Sequence, residues 1–527
     1  MTNFGLRQFA VLSTILCFAM PAFAIGKNGQ NILPITPAKI DDTVARAMKA
    51  FDVPGVAVGI VKDGRLVYAK GYGTREYGKP ALVDPNTLFQ IGSNTKAFTA
   101  AALAILVDEG KIHWDDKVID YLPDFQLYDP YVTREITIRD LLTHRSGLET
   151  GSGDLMFYPT TDFTRAEIIH GLRYLKPVSS FRSQYAYDNS MYMVAGQIIP
   201  EVTGESWEDF VEKRVLEPLK MQSCAASYGR IKNRSNVATP HVVIGGKLTP
   251  IAVENIDTIG PAGTINCSVD GMAKWLEVQL ATGKMPDGQQ LFSPERSTDM
   301  WTMNTIEPID PAIASFTGTH FKAYGLGWEV QDEFGYRRVS HTGGVLGGST
   351  WVAMIPELNL GILVFTNQND GFAMEAIGNQ ILDAYVGAPQ RDLVSLLKAF
   401  EQNRHSDGKS VEDEVAKAAS TAGPPTLPLN SYVGTYKDPW RGDATVSLEH
   451  GHLILAISRT KHLLGALSPY SGNIFLVRWN DRSLHADAFV TFDETVGRDI
   501  GGMTMRPISP DTDFSFDFQD LHFVKDK

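Results

Sequence analysis

The chain has 527 residues, 43% of them hydrophobic, enough to bury a large core in two or three domain-sized units. Its 48 Lys and Arg stand against 61 Asp and Glu, a formal net charge of −13. A chain this acidic offers no positive field of the kind that holds phosphate backbones, so nucleic acid is not an expected partner.

The first residues read as an export signal: Arg7 in a short basic start, an apolar run from Phe9 to Met20, then Ala22-Phe23-Ala24 as a small-x-small cleavage site. Residues 1–24 are therefore expected to be removed, placing the mature protein in the periplasm or outside the cell. A run of about 12 apolar residues is short of the roughly 20 that span a bilayer, so no transmembrane anchor is expected after cleavage. Cys17 lies inside this run, and Thr14-Ile15-Leu16 lacks the small residue that precedes a lipidated cysteine. Cys224 and Cys267 remain; an oxidising compartment could join them, and two buried free thiols are the other reading.

Gly55 to Ile60 and Leu66 to Lys70 flank Lys62-Asp63-Gly64-Arg65, two apolar runs around an Asp-Gly turn, which predicts a hairpin. Thr95 to Glu109 is dense in Ala and Leu, free of Gly and Pro, and stopped by Gly110; it predicts a buried helix with Ser93 at or just before its start. Thr137 is the expected N-cap of a short helix to Leu142, closed by the polar turn Thr143 to Gly147. Tyr192 to Val202 and Trp207 to Leu219 are amphipathic helical stretches, and Ser349 to Ile355 and Leu360 to Thr366 are strands around Pro356-Glu357-Leu358-Asn359. Strands at both ends with helices between predict one α+β domain over residues 25–388, with the terminal hairpins sharing a sheet.

Composition changes after Pro389. An amphipathic stretch with Leu393, Leu396, Leu397 and Phe400 leads into the charged run Glu401 to Lys417 and then Thr421 to Pro425, so residues 389–425 read as a helical and Pro-rich linker. From Tyr432 onward, short alternating stretches such as Ala444 to Leu448 and Leu453 to Ile457 are separated by turns, predicting a small antiparallel barrel or sandwich over 426–527.

Three segments carry chemistry. In Ser93-Asn94-Thr95-Lys96, the three-residue offset at a helix start puts a hydroxyl and an amine on one face, and a desolvated lysine can take the serine proton. The helix start also supplies N–H groups for an oxyanion. The plain alternative is a capping serine beside a solvated lysine. In Tyr185-Ala186-Tyr187-Asp188-Asn189, a phenol near an ammonium is expected to have its pKa drawn down and to shuttle protons, and Asn189 suits a substrate amide or the lysine itself; a core Tyr with a capping Asn is the alternative. In His341-Thr342-Gly343-Gly344, glycines let a substrate backbone come close, Gly344 N–H is a second oxyanion donor, and His341 is a donor or a cation; the alternative is a glycine-rich connection with an incidental His.

Together the three segments resemble the penicillin-recognising serine hydrolases: Ser-x-x-Lys, then Tyr-x-Asn, then a Lys-or-His-Thr-Gly strand, in the same order. The resemblance runs from about Asp42 to Tyr385 and includes Leu141 to Leu148, Pro261-Ala262-Gly263 and Tyr324 to Trp328. It implies a β-lactamase/transpeptidase-like fold, with Ser93 as nucleophile, Lys96 as base or electrostatic partner, Tyr187 as proton relay and Asn189 positioning a substrate amide. His341 joins these as catalytic, Thr342, Gly343 and Gly344 line the substrate site, and the Ser93 and Gly344 N–H groups form the oxyanion hole. Class C β-lactamases usually carry Lys where this chain has His341, so the resemblance leans to the carboxypeptidase, D-aminopeptidase and esterase branches. His144 reads as structural. The tail resembles the small C-terminal domain of many such hydrolases, expected either to shape the active-site mouth or only to stabilise and space.

The expected activity is an acyl-enzyme hydrolase of small peptides, amides or esters, with a class C-type β-lactamase or carboxylic esterase as alternatives. A penicillin-binding sensor that never turns over is the alternative of another class. No Gly-x-Ser-x-Gly elbow, His-Glu-x-x-His or paired Cys-x-x-Cys is present, so neither metal nor cofactor is expected. His450-Gly451-His452 reads as a solvated turn. Loops such as Glu149 to Thr164 are expected to shape the pocket.

Overall fold

The computed structural model describes residues 34–526 apart from 312, 313, 315 and 316, so the expected signal segment lies outside the described residues. In the strand Gly55–Lys62, Val56, Val58 and Ile60 pack to one side and Ala57 and Val61 to the other, and all eight residues are buried. Gly348–Ile355 and Leu360–Thr366 are also buried throughout. A strand covered on both faces can be apolar at every position, which is why these segments read as unbroken apolar runs.

They sit at the centre of an eight-stranded antiparallel sheet, in the order Arg65–Gly73, Gly55–Lys62, Leu360–Thr366, Gly348–Ile355, Tyr336–Val345, Glu329–Glu333, Lys322–Tyr324 and Thr305–Ile306. The predicted first and last hairpins meet there, Val58 opposite Val364. At the tip of the first, Asp63 and Gly64 both have positive φ, 52° and 73°, the backbone that an Asp-Gly pair tolerates. Pro37–Ala50 and Gly371–Val386 cover one face through Ile40, Val44, Ile377 and Ile381; Val269–Leu280 covers the other through Met272 and Leu276. Thr95–Asp108 is buried from Thr95 to Leu106, with Phe98 stacked on Trp275 at 4.1 Å, so it passes through the core and has no polar face.

Residues Leu393–Ser420 form one 28-residue helix, so most of the stretch read as a linker is a rod. Its charged part faces solvent and supports itself with pairs such as Lys409 to Asp413, 2.9 Å apart. Beyond it, eight strands from Gly434–Asp438 to His522–Lys525 close into an antiparallel barrel in sequential order around Tyr436, Phe475, Trp479 and Phe492. The barrel turns back onto the first domain: Arg459 pairs with Asp162 and Glu167, and Asp517 accepts hydrogen bonds from Gly153 N and Leu155 N. Cys224 and Cys267 are joined in a disulfide. Among the described residues no helix is long and apolar enough to cross a membrane.

Candidate active site

Ser93 lies in the one-turn 3-10 segment Gly92–Asn94 that opens the Thr95–Asp108 helix. The turn is fastened to the sheet. Asn94 Nδ2 donates to Thr350 Oγ1 at 2.9 Å, and Thr350 Oγ1 donates to the Ile91 carbonyl at 2.9 Å. Two glycines permit this contact: a Cβ on Gly343 would lie 2.0 Å from the Ile91 oxygen, and one on Gly92, whose φ is +53°, would lie 2.9 Å from Gly344 N. The Gly92–Ser93 backbone therefore lies directly against Gly343–Gly344, as the oxyanion expectation requires.

Lys96 is fully buried one turn on. Its Nζ is 2.9 Å from Ser93 Oγ, 2.7 Å from Asn189 Oδ1 and 3.0 Å from the Ala262 carbonyl. Both carbonyl oxygens can only accept, so they take two N–H bonds of the amine; toward Ser93 Oγ the ammonium presents its third N–H, and the neutral amine presents its lone pair. Burial pushes the amine pKa down to about 7, against the opposing influence of Asp154 and Asp188. The turn at Pro261-Ala262-Gly263 thus has a definite job, holding the amine by one carbonyl, while Thr99 Oγ1 anchors it through the Pro261 carbonyl at 2.7 Å.

Tyr187 and Asn189 come from the start of the helix Asn189–Thr203, capped by Asp188, which accepts from Met191 N. Asn189 is turned to the lysine. The Tyr187 ring centre lies 4.7 Å from Lys96 Nζ, and its hydroxyl reaches the Ser93 side chain. The expected lowering of this phenol by an ammonium is not found: burial pushes Tyr187 well above its ordinary value, with the Ser93 contact opposing. The physical reason is desolvation, which disfavours the phenolate more than the neighbouring amine favours it.

His341 lies inside the strand Tyr336–Val345, paired with Val352 of the next strand. Its ring is 6.3 Å from that of Tyr187, and both of its nitrogens are occupied: Nδ1 is 2.5 Å from the Thr342 carbonyl and Nε2 is 2.7 Å from the Tyr324 hydroxyl. The carbonyl only accepts, so Nδ1 carries the hydrogen and Nε2 accepts from Tyr324. Burial pushes the imidazole down to about 4. Of the two expected states, donor or cation, the geometry and burial fit the donor: His341 is uncharged near neutral pH and donates to Thr342. Thr342 is half-buried and Gly344 exposed on the same strand.

Four residues without an expected site role adjoin this group, Tyr324 among them. His144, at φ +53° and fully buried, accepts from Asp188 N at 3.0 Å and lies 4.2 Å from the Tyr187 ring, so the residue read as structural supports the phenol from behind. Asp154 accepts from Asn189 Nδ2 at 2.8 Å, and Phe514 of the barrel lies 5.8 Å from the Tyr187 ring. Tyr324 and His144 had a signal, their place in family-like segments; Asp154 and Phe514 had only that of their regions, a loop expected to shape the pocket and a tail for which shaping its mouth was one expectation.

The antiparallel sheet with helices on both faces is the β-lactamase/transpeptidase-like fold, and at one helix start it brings buried Lys96 beside half-buried Ser93 and Tyr187. Residues 40–385 match the family model described as Beta-lactamase, and the chain belongs to that family. Residues 418–525 match a model described as Domain of unknown function (DUF3471). The chain is 29% identical over 463 residues to the unguisins hydrolase ungD' of Aspergillus campestris, covering 83% of each chain. It is 28% identical over 361 residues to Protein flp of Staphylococcus aureus, covering 66% of each. The octameric penicillin-binding protein homologue from Pyrococcus abyssi shares the fold, with a TM-score of 0.60 and 22% identity over 93% of this chain and all 100% of that one.

Proposed function

We propose that the protein hydrolyses small peptides, amides or esters through an acyl-enzyme on Ser93, its substrates including D-amino-acid peptides. The observation that carries this reading is the contact set of Lys96, whose two carbonyl partners hold the amine 2.9 Å from Ser93 Oγ, so that once neutral it can take the serine proton. Lys96 takes the serine proton as Oγ bonds to the substrate carbonyl carbon, and the carbonyl electrons move to an oxyanion held by the Ser93 and Gly344 N–H groups. Collapse breaks the bond to the leaving group, which receives the Tyr187 proton; the Lys96 ammonium returns a proton to the phenolate. Water then cleaves the acyl-serine and restores its hydroxyl.

An uncharged His341 with both nitrogens engaged supplies no cation for a β-lactam carboxylate, which favours peptides and esters over β-lactams. We place the protein outside the cytoplasm; the N-terminal residues and the Cys224 to Cys267 disulfide support this. Fluorophosphonate labelling of the parent and of Ser93→Ala, followed by a panel of D-alanyl peptides, a nitrophenyl ester and a chromogenic cephalosporin, tests the reading. Labelling lost in Ser93→Ala and turnover of peptide or ester is the expected result; a penicillin adduct that never recovers points instead to a sensor.

A further inference from the structure

The segment Gly151 to Phe157 and the barrel loop Asp513 to Asp520 are interlocked beside Lys96. Asp517 accepts from Gly153 N at 2.6 Å and from Leu155 N at 3.0 Å, and Ser152 Oγ donates to Asp520 Oδ2 at 2.5 Å. A Cβ on Gly151 would lie 2.5 Å from the Phe514 oxygen, so the two backbones touch. This clasp leads to the site. Ser515 Oγ donates to Asp154 Oδ2 at 2.8 Å, Asn189 Nδ2 donates to the same oxygen at 2.8 Å, and Asn189 Oδ1 accepts from Lys96 Nζ at 2.7 Å.

We propose that Asp154 and Ser515 are positioning residues for the Ser93–Lys96 couple, so that the C-terminal barrel completes the active site by fixing the orientation of Asn189. The proposal rests on the acyl-enzyme reading of Ser93. A carboxamide is ambivalent: rotated by half a turn, Asn189 would offer its NH2 to Lys96, and the amine would lose an acceptor. Asp154, an acceptor on the far side, selects the orientation with Oδ1 toward Lys96. Ser515 in turn holds Asp154, whose other oxygen, Oδ1, is buried and has no hydrogen-bond partner among the described residues. A buried carboxyl with half its capacity unmet is a poor device for stability alone, since each unmet polar atom opposes folding.

The groups around the amine set the direction of the pH effect. Lys96 is faced by Asp154 and Asp188, by the imidazoles of His144 and His341, and by the rings of Tyr187 and Tyr192 at 4.7 and 5.3 Å. Asp154 is faced by Asn189, Ser515, Asp188, Asp517 and Lys96, and burial holds it well above the usual carboxylate range. An ammonium gains more from a fixed carbonyl acceptor than a neutral amine does, so releasing Asn189 lowers the lysine pKa.

The test is the rate at which a fluorophosphonate labels Ser93 in the full chain, followed between about pH 5 and 9, with thermal unfolding measured alongside. Asp154→Ala is expected to slow labelling about 100-fold, and Ser515→Ala about 10-fold, the equivalent of one lost hydrogen bond. In Asp154→Ala the acid limb moves to lower pH. Asp154→Asn, which keeps an acceptor oxygen for Asn189, is expected to restore the rate to within about fivefold. Parental rates and an unmoved limb in the folded variants overturn the proposal, as does slowing with an unmoved limb that Asp154→Asn leaves uncorrected. If Asp154→Ala does not fold, Ser515→Ala, which removes one hydroxyl, decides by its rate. A parent chain that is not labelled, or a Ser93→Ala chain that is, overturns the acyl-enzyme reading itself; a labelled parent with unaffected variants overturns only the positioning role.

Discussion

Two turns converge on Lys96 and are held in opposite ways. The Gly92–Asn94 turn is fastened by Asn94 and Thr350 to strands of its own domain. The Gly151 to Phe157 turn has its amides and its Asp154 carboxyl tied to side chains some 360 residues away, on the barrel. The first turn carries Ser93, the proposed nucleophile, on its own domain's frame; the second ties Asp154, the proposed positioning residue, to the barrel. The difference teaches that the reacting groups and the groups that orient them have separate mechanical supports, so one can be loosened without the other.

The largest effects belong to the first turn. Lys96→Met is expected to lower kcat by about 1000-fold or more, because Ser93 loses its proton acceptor, and steady-state kinetics on the best substrate of the panel checks it. Tyr187→Phe, which keeps the ring against His144 but removes the acid, is expected to lower kcat by about 100-fold. With burial holding Lys96 at about 7 and the neutral amine as the proposed base, kcat/KM should fall about tenfold per pH unit below that value and level off above it. An acid limb near pH 4 would instead assign the base to a group other than Lys96, either His341 or a carboxylate.

Stability separates the two supports. Thr350→Val removes the hydroxyl shared by Asn94 and Ile91 and should destabilise the first domain by about 1–3 kcal/mol in denaturant titration. Asp517→Ala strands the Gly153 and Leu155 amides; hydrogen exchange at those two sites should accelerate while the Thr95–Asp108 helix stays protected. The smallest effect concerns a second contact between the domains, where His462 of the barrel lies 2.7 Å from Asp481 and 3.5 Å from Glu254. The hydrogen bond to Asp481, with help from Glu254, raises His462 to about 9. A raised imidazole contributes its stability in full below its unfolded value of about 6.5 and loses it as pH rises through 9, so on the order of 1–2 kcal/mol should disappear over that window and be absent in His462→Gln.

The segments that bring Ser93, Lys96, Tyr187, Asn189 and His341 together were legible because each depends on residue type at short spacing. Ionisation states were not. Whether Lys96 is neutral, Tyr187 protonated and His341 uncharged depends on desolvation by neighbours far along the chain. Asp154 was hidden for the same reason: Gly151-Ser152-Gly153-Asp154 has the composition of a solvated turn, and only the arrival of Asp517 and Ser515 buries it. The hairpins and the central helix were readable from apolar runs. The helical start of the Leu393–Ser420 rod was readable from Leu393, Leu396, Leu397 and Phe400, but its full length was not, because its charged half has no apolar stripe to announce a helix.

That rod also sets a phasing condition on the whole molecule. A 28-residue helix extends about 42 Å, and each residue added or removed turns the barrel by about 100° while shifting it by about 1.5 Å. The barrel must still arrive with its Asp513 to Asp520 loop aimed at the right turn, so the helix works as a measured spacer in which azimuth matters more than length. Seven extra residues, close to two whole turns, would return the barrel to nearly the same heading; two would point it away.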